Sequence, residues 1–192
     1  KIYPMTEDMV YESTPEKTNL AYAYAKRSMG IQIELSKRKN WSIIYSNNLY
    51  GPYDHFNNKL AHVIPSLFSK ILNTPKYGFI DLYGTGKPLR QFTYVEDIAK
   101  FLADIVDEDI SGSYNFGNEK NISIKDLVNV VLNITNRKDI SINFTGELEG
   151  QFRKDVSMAK MSQIYKFEYT DLREGLEKTY EWLQMASNEQ SH

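Results

Sequence analysis

The 192 residues contain no cysteine, which excludes disulfides and thiolate metal sites, although that absence alone fixes no compartment. No run approaches the roughly 18 apolar residues of a membrane-spanning helix, and no signal sequence opens the chain. A basic field is missing too. The 23 Lys and Arg against 25 Asp and Glu leave a formal net charge of -2, which gives nucleic acid no electrostatic footprint. The longest basic cluster, Lys37-Arg38-Lys39, reads instead as the end of a helix, where cations suit the dipole. The expectation is a cytoplasmic chain with neither nucleic acid nor membrane among its partners.

The absence with most consequence concerns glycine. Ten glycines are present, yet none forms a Gly-x-Gly-x-x-Gly or similar turn ahead of Tyr22. The roughly twenty residues there are too few for a βαβ unit of about 30. Such a turn seats a dinucleotide pyrophosphate on a helix N-terminus, so the nucleotide-binding half of a dinucleotide fold is expected to be absent from this chain. What stands there instead is Asn19-Leu20-Ala21-Tyr22-Ala23-Tyr24-Ala25-Lys26. On a helix, residues four apart share a face, so Tyr22 and Lys26 can present a phenol and an ammonium to one reacting centre. A fixed cation favours phenolate over phenol, which suits proton exchange with a sugar or alcohol oxygen.

With 41% hydrophobic residues the chain can bury one sizeable core and a second small one. Residues 1–18 read as irregular, with Pro4 and Pro15 against regular structure and Thr18 placed to cap a helix over 19–38. A strand follows at 41–45, then a polar, turn-rich stretch from Asn48 to Asn58, and a helix over 63–72 with Pro65 in its first turn. Strands are expected at 79–83, 91–94, 113–116 and 140–144. Helices are expected at 95–106, with Ile98, Phe101, Leu102 and Ile105 as its apolar stripe, from Ser123 to Ile134 with Asp126 completing a capping box, and at 171–185. The alternation predicts an α/β chain.

Seven local features occur in one order: Ile2-Tyr3-Pro4, Tyr22-x-x-x-Lys26, Asn48-Leu49-Tyr50-Gly51-Pro52, His62-Val63-Ile64-Pro65, Tyr83-Gly84-Thr85-Gly86, Arg90 to Asp97, and Gly150-Gln151-Phe152-Arg153-Lys154. Together they resemble the extended short-chain dehydrogenase/reductases that act on nucleotide sugars, within the NAD-dependent epimerase/dehydratase family. The resemblance runs from Ile2 to about Leu183. It implies the C-terminal part of a Rossmann-type parallel sheet (1–50 and 90–117) plus a smaller α/β substrate-binding lobe (51–89 and 118–192). It also implies an NADP-dependent epimerase/reductase acting on a GDP-linked 4-keto-6-deoxy sugar, and a homodimer packed through the Tyr22/Lys26 helix.

By the same resemblance, Tyr22 is the acid that protonates the sugar oxygen and Lys26 holds the nicotinamide ribose. His62 is the general acid of C3/C5 epimerisation, where a histidine at a helix start would otherwise read as satisfied by backbone. Tyr22, Lys26, Asn48 and His62 are the implied cofactor contacts. Asn48, Lys70, Tyr83, Arg90 and Lys154 are the implied substrate contacts. Arg90 suits a diphosphate because its guanidinium is planar and always charged. An aromatic such as Tyr83 also suits core packing, and Lys70 and Lys154 also suit a solvated surface. His55 and His192 read as solvated. Two features depart from the family pattern: its catalytic serine or threonine would fall upstream of Lys1, and Lys1 itself stands on its epimerisation cysteine. Two other readings stay open, a nucleotide-sugar 4-epimerase or dehydratase of the same superfamily and a non-catalytic binding or dimerisation fragment.

Overall fold

A computed structural model of the chain describes residues 2–12, 14, 15, 17–56, 61–147 and 150–189. Lys1, His192 and Asn58 lie outside the described residues, so the readings placed on them stay as expectations. The expected Thr18 cap is corrected: the first helix begins at Leu20 with Asn19 as its N-cap, and Thr18 lies in a 3-10 turn before it.

Among the described residues, five α-helices and seven short strands form an α/β fold. Helix α1 (Leu20–Glu34) leads to β1 (Ser42–Ser46), and β2 (Asn48–Tyr50) follows directly. Then come α2 (Val63–Asn73), β3 (Phe79–Leu82), β4 (Leu89–Tyr94), α3 (Val95–Asp107) and β5 (Gly112–Phe116). The chain ends with β6 (Asn121–Ser123), α4 (Ile124–Ile134), β7 (Ser141–Phe144) and α5 (Leu172–Glu189). Three parallel pairings organise the strands: β1 with β5, β2 with β4, and β3 with β7. An antiparallel pairing, β6 on β4, completes a three-stranded sheet in the order β2-β4-β6.

Two apolar cores form, each where amphipathic helices cover strands. In the larger, Leu67, Phe68 and Ile71 of α2 meet Leu127, Val128 and Val131 of α4 and Leu176 of α5 over Ile80, Leu82, Phe92 and Tyr94. In the smaller, Ile98, Phe101 and Ile105 of α3 pack on Phe116 of β5 and on Met158 and Met161. The Phe101 and Phe116 rings lie face to face with centroids 3.7 Å apart. Val95, the first residue of α3, touches both cores. Ser123 caps α4, accepting the Asp126 N–H at 3.0 Å while its hydroxyl donates to the Asp126 carboxylate at 2.6 Å.

Several sequence expectations need correction. Helix α1 ends at Glu34 and has no basic residue in its last turn, so Lys37-Arg38-Lys39 lies beyond it and does not face its dipole. The polar stretch after residue 47 opens with a strand, and Asn121–Ser123 is another. Both are three residues long and exist through pairing with β4. Leu102 is 46% exposed and not part of the α3 stripe, because one residue of helical rotation turns it away from Phe101. The first residues are also less irregular than their prolines suggest, with a 3-10 turn at Glu7–Val10 and a parallel bridge from Met5 to Val156.

Candidate functional site

A cleft of about 570 Å3 opens where α1, β2, α2 and the β3–β4 turn approach one another. Its lining includes Tyr22, Asn48, His62, Tyr83 and Arg90, five of the eight residues that the sequence marks as site candidates. They come from four stretches of chain brought together only by the fold. Lys26, Lys70 and Lys154 are not in that lining.

Tyr22 sits on an exposed face of α1 with its side chain 60% accessible. Lys26, one turn on, holds its Nζ 5.7 Å from the Tyr22 ring centroid, so the i, i+4 spacing does place a cation beside the phenol. His62 is the N-cap of α2 and uses its backbone carbonyl there, accepting the Ser66 N–H at 2.9 Å. Its ring makes no capping bond and is 78% exposed, with Nδ1 3.7 Å from Asp54 Oδ1. Backbone capping and cleft lining are thus compatible in one residue.

Asn48 opens β2 in register with Phe92, and its Nδ2 donates to the Gln91 carbonyl at 2.7 Å. Arg90 extends from β4, donating through Nη1 to its neighbour's carbonyl on Leu89 at 2.7 Å and to Phe152 O at 3.5 Å. Those bonds hold the guanidinium at the rim where residues 150–152 pass. Tyr83 follows directly after β3, which ends at Leu82 and not at the expected residue 83, and it does not enter the core, being 69% exposed and part of the cleft wall. The turn that carries it depends on glycine. Gly84 and Gly86 have φ of 76° and 73°, and a Cβ on Gly86 would stand 2.8 Å from the Phe144 ring. Lys70 donates to Asp81 O at 3.5 Å, and Lys154 is half-buried in the segment that leaves the rim.

Sequence reasoning overlooked the floor. Asn47 lines the cleft and belongs to a closed ring of bonds with Thr93 of β4 and Asn118 of the β5–β6 loop. Thr93 Oγ1 donates to Asn47 Oδ1 at 2.6 Å and accepts the Asn118 N–H at 2.9 Å, while Asn47 Nδ2 donates to Asn118 O at 3.0 Å. Asp54, facing His62, was likewise not singled out. Asn47 adjoins the Asn48 motif and Thr93 falls within the Arg90–Asp97 motif, so both stretches are marked, but neither residue is singled out within them.

The described residues hold no cluster of three or more His, Asp or Glu suited to a metal ion. No described helix is long and apolar enough to cross a membrane. The arrangement offers a proton donor with an adjacent cation, an imidazole, an amide, a guanidinium and an exposed aromatic ring. That set can bind an anionic, ring-bearing ligand and move protons on it.

Comparison with known proteins bears on the family and the fold. Residues 1–117 match the model of the NAD dependent epimerase/dehydratase family. The chain is 30% identical over 191 residues to GDP-L-fucose synthase of Dictyostelium discoideum, covering 94% of this chain and 59% of that protein. It is 27% identical over 192 residues to GDP-L-colitose synthase of Yersinia pseudotuberculosis, covering 96% and 62%. A crystal structure of a GDP-L-fucose synthetase from Naegleria fowleri bound to NADP superposes with a TM-score of 0.84 at 27% identity, covering 98% of this chain and 63% of that one. The chain thus spans about three-fifths of the length of these relatives.

Proposed function

The chain belongs to the NAD-dependent epimerase/dehydratase family, and from that premise we propose that it is the C-terminal portion of an NADP-dependent nucleotide-sugar epimerase/reductase acting on a GDP-linked 4-keto-6-deoxy sugar. The observation that carries this reading is the convergence of Tyr22, Asn48, His62, Tyr83 and Arg90 on one cleft. The GDP-sugar synthases among its relatives supply the substrate class.

The residues present fit the nicotinamide end of NADP, with Tyr22 and Lys26 on one helix face and Asn48 and His62 across the cleft. When bound, NADPH supplies hydride to C4 of the keto sugar. The Tyr22 phenol donates its proton to the C4 oxygen, and Lys26 holds the ribose and keeps positive charge beside that phenol. His62 moves the proton at C3 and C5. Arg90 binds the diphosphate, Tyr83 stacks on the base, and Lys70 and Lys154 add charge toward the substrate. The 192 residues include no glycine-rich turn to seat the pyrophosphate, so the isolated chain is expected to be inactive.

We assign residues 1–50 and 90–117 to the Rossmann portion and 51–89 and 118–192 to the substrate lobe. The placement of α3 and β5 in one core and of α2, α4 and α5 in the other supports that division for these elements, whereas Phe92 and Tyr94 of β4 pack in the second core and Met158 and Met161 in the first. Exposed Tyr24, Met29, Ile31 and Ile33 on α1 support a homodimer. The same surface would serve an association module that lacks catalysis.

The deciding experiment is NADPH oxidation by the full-length protein with a GDP-4-keto-6-deoxyhexose. Turnover is expected. Interconversion at C4 without net NADPH consumption would move the reading to the epimerase branch. Failure of the full-length protein to bind any nucleotide would leave only the association module.

A further inference from the structure

Beneath the cleft lies a connected set of buried polar groups to which the proposed chemistry gives no role. Gln91 occupies β4 between Arg90 and Phe92, both in the cleft lining, and is itself only 2% exposed. Its Nε2 donates to Glu119 O at 3.0 Å, and its Oε1 accepts the Val156 N–H at 3.0 Å. Its backbone carbonyl accepts from Asn48 Nδ2 at 2.7 Å. One residue thus bonds three segments far apart in sequence.

The contact with Val156 reaches further. Val156 pairs with Met5 in the parallel bridge, where the Met5 N–H donates to Asp155 O at 2.9 Å and the Ser157 N–H donates to Met5 O at 2.8 Å. Asn115, also buried, grips the bridge from the opposite side, donating through Nδ2 to Met5 O at 3.0 Å and to Ser157 O at 3.1 Å. Its own N–H donates to the Glu7 carboxylate at 2.7 Å. Residues 2–4 lead into the bridge from one side, and residues 150–154, with Arg153 and Lys154, lead into it from the other.

We infer that Gln91 is a positioning residue that sets the register between Asn48, in the cleft lining, and the Met5–Val156 bridge behind it, from which the chain leads back through residues 150–154 to Gly150 in the same lining. A buried amide with both ends satisfied selects one arrangement, because any slip of the bridge leaves a donor or an acceptor unpaired away from water. The spacing of reacting groups is where small displacements are most costly to rate. The inference rests on the nucleotide-sugar reading of the cleft.

The test uses the full-length protein with Gln91→Met, which keeps volume and removes both polar ends, and Gln91→Glu, which keeps the acceptor for Val156. Thr179→Val is the control: it too removes a buried hydrogen bond, from Thr179 Oγ1 to Gly175 O at 2.6 Å, but in α5 away from the cleft lining. In Gln91→Met, amide exchange at Met5, Val156 and Ser157 should quicken roughly tenfold or more while α4 exchanges as in the parent. Its kcat/KM for the GDP-sugar should fall by a similar factor of about ten, with Thr179→Val near the parent's value. Gln91→Glu should lie between and recover as pH falls, when the introduced carboxyl gains a proton to donate to Glu119 O. Unchanged exchange at the bridge, or a kinetic loss no greater than in Thr179→Val, would overturn the inference. If Gln91→Met does not fold, Gln91→Glu decides by the same two readouts. If the parent turns over no GDP-4-keto sugar, the proposed function fails separately, and exchange at the bridge still decides the role of Gln91.

Discussion

Gly175→Ala gives a test in which two physical effects predict opposite signs. Gly175 lies in the first turn of α5, and by helix propensity alone alanine there should stabilise the protein by about 1 kcal/mol. Packing argues the reverse. An added Cβ would stand 2.1 Å from Tyr50 Oη, 2.9 Å from the ring carbon Cζ and 3.2 Å from Cε2. The ring has little room to retreat, being 3% exposed, with Phe92 and Tyr94 at centroid distances of 6.2 and 5.7 Å and its hydroxyl donating to Leu172 O at 3.4 Å. Overpacking of this kind costs about 1–3 kcal/mol, so the net change is a loss of about 0–2 kcal/mol. For a chain of this size that lowers Tm by about 2–4 °C per kcal/mol. The hydroxyl is the nearest obstacle, so in a Tyr50→Phe background the same substitution should cost about 1 kcal/mol less. Urea unfolding followed by circular dichroism on the four variants measures each corner of the cycle. A gain of about 1 kcal/mol from Gly175→Ala in both backgrounds would refute the steric argument.

Three further outcomes follow from the site and its supports. In the full-length protein, Tyr22→Phe should reduce NADPH oxidation by about a hundredfold to ten-thousandfold and leave Tm unchanged, since the phenol is exposed; near-normal turnover would reduce Tyr22 to a helix-surface residue. His62→Ala should slow deuterium uptake at C3 and C5, followed by NMR in heavy water, more than it slows hydride transfer to C4, and equal effects on both would remove His62 from the proton steps. Asp155 is held below the usual carboxylate range by its paired bonds from Arg153, 2.8 Å from Nε and 2.5 Å from Nη2, with burial opposing. A depressed carboxyl contributes stability that is full above its unfolded value of about 4 and is lost as pH falls through the folded value. Asp155→Asn should therefore lower stability at neutral pH and flatten the acid limb below about pH 4, and an acid limb identical to the parent's would contradict the pairing.

What the sequence determined by itself was the set of elements whose signal is local. The stripe of Ile98, Phe101 and Ile105, the Ser123/Asp126 cap and the run from Val63 around Pro65 each repeat at helical spacing within one stretch of chain, so α3, α4 and α2 were legible before any fold was known. The order of the seven motifs likewise identified the family, and with it five residues that converge on one cleft. The tertiary structure alone decided the rest. A three-residue strand such as β2 or β6 carries too little periodicity to be read and is stabilised by the partner strand β4. Whether Leu102 faces core or water depends on what packs against α3, and its neighbours on that side come from other segments. The buried polar residues were the least legible of all. Although Gln91 and Thr93 fall within the Arg90–Asp97 motif, nothing local shows that they or Asn115 are buried and bonded, because the groups that make their burial tolerable lie 65, 46 and 110 positions away, and a hydrogen bond over that separation is encoded only in the folded chain.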